Sequence, residues 1–343
     1  MTKKTKKTTV LHIFADQNVC TAGQHFVNLH GSLSTDFALH ALVPAGSQLK
    51  QHFGKLSKVT TYSEESAIKQ IIKEISPDIV HTHTSYELRA IAGKAGRHKT
   101  VHTQHSPVSI GFFAKLSAGS LSDAVIATNL QARESLVKMG TAPPKINMIY
   151  DGVTAVEKRD PGRHRKQFNV PNETFVVTCI AKLTGETNII LDAAKELPYN
   201  VITILIGRDN GHKAALQDRI KHENLENVRL FDEPKNISEL MSITDAQIYL
   251  PSDTAPLPVY AGMSAGIPVI AAEGADPYIV EDSVNGLVIP AFTADNIDDA
   301  ITRLKEDPPL YGQLSAGAVA RYKDRFTVHR MANETEKVYR GLL

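Results

Sequence analysis

Histidines recur in two short segments, His81 and His83 in "HTH" and His102 and His105 in "HTQH". Imidazole is the commonest protein metal ligand, and it donates one hydrogen bond when neutral and two when charged, so the set opens both a metal reading and an acid–base or anion-binding one. Alternate residues of a strand point to one face and successive residues to opposite faces, which divides such a set. The expectation is that one or two of the four reach a site and that no metal is bound. A second stretch, "SDTAPLPVYAGMSAGIPVIAAEGA" (252–275), places Asp253 ahead of Pro256 and Pro258, which have no N–H to offer. A helix beginning near Pro258 presents the amides of its first turn to an anion, because proline is tolerated there and helix N-termini favour negative charge. Residues 251–300 contain no Lys or Arg, so no side chain nearby in sequence adds positive charge.

The elements that must position these residues show in the periodicity. Short apolar runs recur at 10–15, 37–44, 78–83, 100–105, 124–129 and 146–151, separated by helical stretches such as "SAIKQIIKEI". After a charged, proline-containing stretch at 154–172 the alternation restarts at 175–183, 200–207, 228–231, 246–251, 268–273 and 286–290. Strand, helix, strand reads as a parallel sheet. The expectation is therefore an α/β protein of two doubly wound, Rossmann-like domains, residues 1–151 and 152–343, with the last helix, starting near Thr327, able to pack back onto the first. Ligands of open parallel sheets bind outside the carboxyl ends of the strands, where "HTH", "HTQH" and "SDTAP" all fall.

Composition bounds the setting. With 343 residues, 42% of them hydrophobic, the chain can bury two substantial cores. Its two cysteines, Cys20 and Cys179, fit a reducing compartment, no apolar run approaches a membrane span, and "MTKKTKK" lacks the apolar core of a secretory signal. A cytoplasmic protein is expected. Residues 1–151 hold 17 Lys and Arg against 10 Asp and Glu, and residues 152–343 hold 21 against 27. That asymmetry suits contact of the first half with an acidic acceptor or with the anionic inner face of a membrane, although four of the basic residues belong to the N-terminal tail. No basic stripe with interleaved aromatics points to nucleic acid.

Five segments, "PDIVHTHT", "TVHTQHSP", "SDAVIATNLQARESLVKMGTAPPKINMIYDGV", "NVRLFDEPKNISELMSITDAQIYLPSD" and "AGMSAGIPVIAAEGADPYIVEDSVNGLVIP", resemble in order and spacing the retaining GT-B glycosyltransferases of the group 1 and family 4 type. The resemblance implies two domains facing across a cleft, a nucleotide-sugar donor on the C-terminal domain and a glycan or lipid-linked acceptor on the N-terminal one. It also implies hexosyl transfer with retention, in cell-envelope polysaccharide synthesis, with neither metal nor other cofactor. The family's catalytic histidine falls on His105. Its glycine-rich loop after the first strand falls on "CTAGQH", where Gly23 alone remains to make a left-handed turn. Lys182 stands where the first of two phosphate-binding cations is expected, and the second is missing. The Glu-x7-Glu pair that holds donor sugar and ribose falls on Asp253 and Ala261, and the amides around Leu257, Val259 and Tyr260 face the diphosphate. Ala261 accepts no hydrogen bond. An alternative therefore stays open, a GT-B pseudoenzyme that has lost donor affinity and serves as a binding or partner subunit.

Overall fold

The computed structural model describes residues 7–17, 20–53, 58–91, 97–107, 118–157, 160–232, 236–250 and 256–343. The chain divides into two units, Met1–Gly152 with Phe326–Leu343, and Val153–Arg325. In the first, the elements run β1 (Thr8–Ile13), α1 (Thr21–Ser32), β2 (Phe37–Pro44), β3 (Lys58–Tyr62), α2 (Glu65–Ile75), β4 (Ile79–Thr82), α3 (Ser85–Ala90), β5 (Lys99–Gln104), α4 (Ala118–Leu121), β6 (Ala124–Ala127), α5 (Leu130–Lys138) and β7 (Ile146–Met148). The strands form a parallel sheet in the order β3-β2-β1-β4-β5-β6-β7. The second unit runs α6 (Pro161–Gln167), β8 (Phe175–Ile180), α7 (Asn188–Glu196), β9 (Val201–Ile206), α8 (Lys213–His222), β10 (Val228–Phe231), α9 (Ile237–Met241), β11 (Ala246–Ile248), α10 (Leu257–Ser264), β12 (Val269–Ala272), β13 (Gly286–Ile289), α11 (Ala294–Glu306) and α12 (Pro308–Arg325). Its parallel sheet has the order β10-β9-β8-β11-β12-β13. Both are Rossmann-like doubly wound sheets.

Strands covered on both faces must be apolar throughout, and β9, "VITILI", is buried at all six positions. The two faces of the first sheet sort by alternation. Val10, Ile79 and Val101 pack with Leu29, Met331 and Tyr339 on one side, while Leu11, Ile13 and Val80 pack with Ile68 and Ile72 of α2 on the other. Met331 and Tyr339 belong to the last helix, α13 (Val328–Leu342), whose N-cap Thr327 accepts from Arg330 N at 3.1 Å. This helix is therefore part of the first unit's core.

The edge strand β3 has no counterpart among the expected runs. Its "KVTTY" has only two apolar residues, Val59 and Tyr62, and buries Tyr62 alone, so it lacks the continuous apolar signal of its neighbours. "CTAGQH" also differs from expectation. Gly23 lies in the first turn of α1, where Gln24 N bonds Cys20 O at 2.8 Å, so it is helical rather than the pivot of a left-handed turn. In the second unit the glycines of "AGMSAG" have packing causes. A Cβ on Gly262 would lie 2.2 Å from Gln247 Nε2, and Gly266 takes φ +75° as the chain leaves α10.

Candidate active-site residues

Each sheet changes winding direction between its first and fourth strands, β1 beside β4 and β8 beside β11, and ligand crevices open at the carboxyl ends there. In the first unit those ends carry histidines. His12 on β1 pairs in register with His81 on β4, His83 follows β4, His105 follows β5, and α1 supplies His25. The ring centroids lie 4.9 Å apart for His12 and His81, 4.4 Å for His81 and His83, and 4.6 Å for His25 and His105. His102 goes to the other face, with Nδ1 2.9 Å from Thr82 Oγ1 and Nε2 3.3 Å from Gln104 Oε1. Strand alternation thus divides the four sequence histidines, bringing His81, His83 and His105 together and sending His102 away.

Burial sets the protonation of this group. It holds His12, His81, His83 and His105 well below the ordinary imidazole range, and neighbouring imidazoles push the same way. His105 is therefore neutral near pH 7, with one N–H to donate to a ligand and one lone pair. His25 Nδ1 meets Asp151 Oδ1 at 2.6 Å, which fixes that ring from the chain segment after β7. Glu87 of α3 is fully buried and accepts from Ala15 N at 2.5 Å, His83 N at 2.6 Å and Thr84 N at 3.0 Å, tying the chain after β1 to the chain after β4. Burial pushes its carboxyl up to about 8 against the pull of those amides.

In the second unit, Lys182 follows β8 and is exposed. Leu183 N bonds Arg208 O at 3.3 Å, and Leu183 bridges in parallel to Asp209, so Lys182 stands alongside Arg208 at the carboxyl end of β9. The second cation expected further along the same segment is missing there, and pairing brings Arg208 alongside from the next strand. Helix α10 begins at Leu257 with Pro256 as an N-cap that makes no side-chain cap bond. The amide of Tyr260 already bonds Pro256 O at 3.1 Å, and Pro258 has none, which leaves Leu257 and Val259 as the first-turn amides without an acceptor among the described residues. Val259, Tyr260 and Ala261 are 5% exposed or less, so Val259 can offer a ligand only its backbone amide, while Tyr260, expected at the diphosphate, has its amide already bonded and its side chain buried. Asp253 lies outside the described residues. His12, His25, Asp151, Glu87 and Arg208 were missed in the sequence, and the available signal was weak: each is a polar residue just beyond or facing a strand end.

The comparisons fall on the same two halves. The model for Glycosyltransferase Family 4 matches residues 39–156, and that for glycosyl transferases group 1 matches 160–321. The D-inositol 3-phosphate glycosyltransferase of Saccharomonospora viridis is 23% identical over 305 residues, 77% of this chain and 70% of the relative. Among solved structures, HepE of Anabaena in complex with UDP-glucose matches with a TM-score of 0.83 at 20% identity, covering 97% of this chain and 99% of that one. A glycosyltransferase from Rickettsia africae gives 0.79 at 16% identity, covering 98% of each. With one glycosyltransferase model on each unit and the GT-B fold throughout, the chain belongs to the GT-B glycosyltransferases.

Proposed function

We propose that the chain transfers a hexosyl-type sugar from a nucleotide-sugar donor to a glycan or lipid-linked acceptor, with retention of configuration and without a metal. The observation that carries this reading is the switch point of the second unit, where the uncapped end of α10 supplies the Leu257 and Val259 amides and where Lys182 and Arg208 stand side by side. A diphosphate needs this combination of fixed amides and cations, which act on leaving-group charge as it develops. Asp253 holds the donor sugar, and His105 donates to the transferred sugar or its phosphate. The basic first half takes the acceptor, and the reaction serves cell-envelope polysaccharide at the cytoplasmic face of an anionic membrane. HepE, which was solved with UDP-glucose, makes uridine diphosphate sugars the first donors to try.

One observation favours a second reading. Ala261 offers a methyl where the resemblance implies a ribose-binding carboxylate, and it is 5% exposed. A partner subunit that no longer uses a donor would tolerate this. The test is to incubate the protein, with chelator present, with a panel of nucleotide sugars and lipid-linked or glycan acceptors, reading nucleoside diphosphate release and the anomeric configuration of product by NMR. Transfer with retention is expected, lowered roughly a hundredfold or more in His105→Ala and Asp253→Ala. Neither transfer nor donor hydrolysis with any pair would favour the partner subunit.

A further inference from the structure

The first unit buries ring nitrogens that have nothing to bond. Among the described residues, His25 Nε2, His83 Nδ1 and both ring nitrogens of His105 are buried without a hydrogen-bond partner. Their protonation follows from the groups behind them. The Asp151 carboxylate can only accept, so His25 carries its proton on Nδ1, and a neutral ring then has a bare lone pair on Nε2. For His83 the chain of inference runs through α13. Tyr339 Oη lies 2.5 Å from His81 Nδ1 and 3.2 Å from His12 Nε2. Hydroxyl donation gives the shorter contact, so Tyr339 donates to His81 and accepts from His12 Nε2–H. His81 then donates from Nε2 to Thr103 Oγ1 at 2.7 Å. His12 Nδ1 is left as an acceptor for His83 Nε2–H at 3.3 Å, and the lone pair of His83 falls on Nδ1. Two buried lone pairs and an unattached imidazole thus share one place.

We propose that His25, His83 and His105 form a three-histidine site for a divalent ion of the zinc type, with water in the fourth position. Each residue offers one nitrogen, and these lie within 4.8 Å of one another. The ring centroids are 4.6, 5.6 and 6.0 Å apart. Three imidazoles on a tetrahedral ion, with metal–nitrogen bonds of about 2 Å, bring their centroids to about 5 Å. The contraction required is small, and the ring of His105, which has no hydrogen bond among the described residues, can make it. Asp151 behind His25 and His12 behind His83 are the orienting partners that histidine ligands ordinarily have. Neutral imidazole sets suit zinc and its neighbours over calcium or magnesium, which prefer oxygen. The overlapping set His12, His81 and His83 is equally compact. It is a poorer site, because both nitrogens of His12 and of His81 are taken by Tyr339, Thr103 and His83. The ion has no assigned part in sugar transfer, and the inference does not rest on that reading, since its test needs no donor.

The test uses full-length protein without a histidine tag, stripped with chelator and titrated with Co2+. Tetrahedral coordination gives an intense visible absorption, which Zn2+ then displaces. One equivalent per chain is expected, with a rise in melting temperature on adding Zn2+. His105→Gln, the variant least able to disturb packing, should abolish the absorption while melting as a folded protein. Asp151→Asn should weaken binding ten- to a hundredfold. His222→Gln, on exposed α8, should bind as the wild type does. Absence of a tetrahedral spectrum in the wild type, or a spectrum that survives His105→Gln, would overturn the proposal.

Discussion

At the scale of single residues, His102 and His105 make the instructive contrast. They stand three positions apart, yet His102 is spent on Thr82 and Gln104, whereas the ring of His105 has no hydrogen bond among the described residues. His102→Ala should therefore cost stability, about 1–3 kcal/mol for the polar groups it leaves unpaired, and leave turnover of the folded fraction near wild type. His105→Ala should do the reverse, which paired denaturant melts and initial rates would show. Ala261 poses the opposite problem. At 5% exposure it has little room, so Ala261→Glu should destabilise the free protein by about 1–3 kcal/mol through overpacking, with a further cost for the buried charge. If the new carboxylate meets the ribose, UDP should restore more of the melting temperature than its 2′,3′-dideoxy form does. Equal restoration by the two would remove the ribose from this position.

At the scale of elements, the acidic residues that mark the motifs turn out to build the sheets. Asp78, Asp123 and Asp245 each precede a strand and accept, at 2.8 Å, from the amide of the second residue of a neighbouring strand, Thr9, Thr100 and Val176 respectively. All three lie at the amino ends, away from the carboxyl ends where ligands bind. Asp245→Ala should cost about 1–2 kcal/mol in a urea melt without changing nucleotide affinity, the discount from a buried charged bond reflecting its partial exposure. Asn285 has a similar structural role, donating to Ile279 O at 3.0 Å and accepting from Glu281 N at 2.9 Å, and a Cβ on Gly286 would lie 2.1 Å from Val269 O, which together account for the "NG" in "SVNGLV". The doubly wound pattern was legible because strands covered on both faces must be continuous apolar runs, and α13 because Thr327 is a recognisable N-cap. β3 was not, since half of an edge strand faces water. The partners of the histidines were hidden for a different reason. His25 and Asp151 meet across 126 positions, and nothing in either local sequence announces the other.

At the scale of the whole molecule, the buried histidines should make the chelator-treated protein acid-sensitive. His30 and His102 are both lowered to about 4, chiefly by burial. Below about pH 6.5 the unfolded chain takes up protons that the folded one refuses, so their stabilising effect is present above 6.5 and lost as pH falls towards 4. At pH 5 these two residues alone remove roughly 4 kcal/mol. Glu87, raised to about 8, works in the other sense, since the folded chain holds its proton and gains stability as pH falls from 8. One acid stands against six buried imidazoles lowered by burial, and the imidazoles prevail. Urea midpoints should fall steadily from pH 7 to pH 5, and Glu87→Gln, if it folds, should steepen the fall.

Donor binding is the claim on which the functional reading stands, and a thermal shift with nucleotides and nucleotide sugars, in the presence of chelator, tests it most directly. A ligand at a hundred times its dissociation constant stabilises the folded state by about 2.7 kcal/mol, which moves the melting temperature by a visible amount. The expected result is saturable stabilisation by at least one nucleotide sugar and by its nucleoside diphosphate, weakened when Lys182 and Arg208 are replaced by Ala. No response to any nucleotide or nucleotide sugar at millimolar concentration would contradict a donor site built on α10 and the ends of β8 and β9.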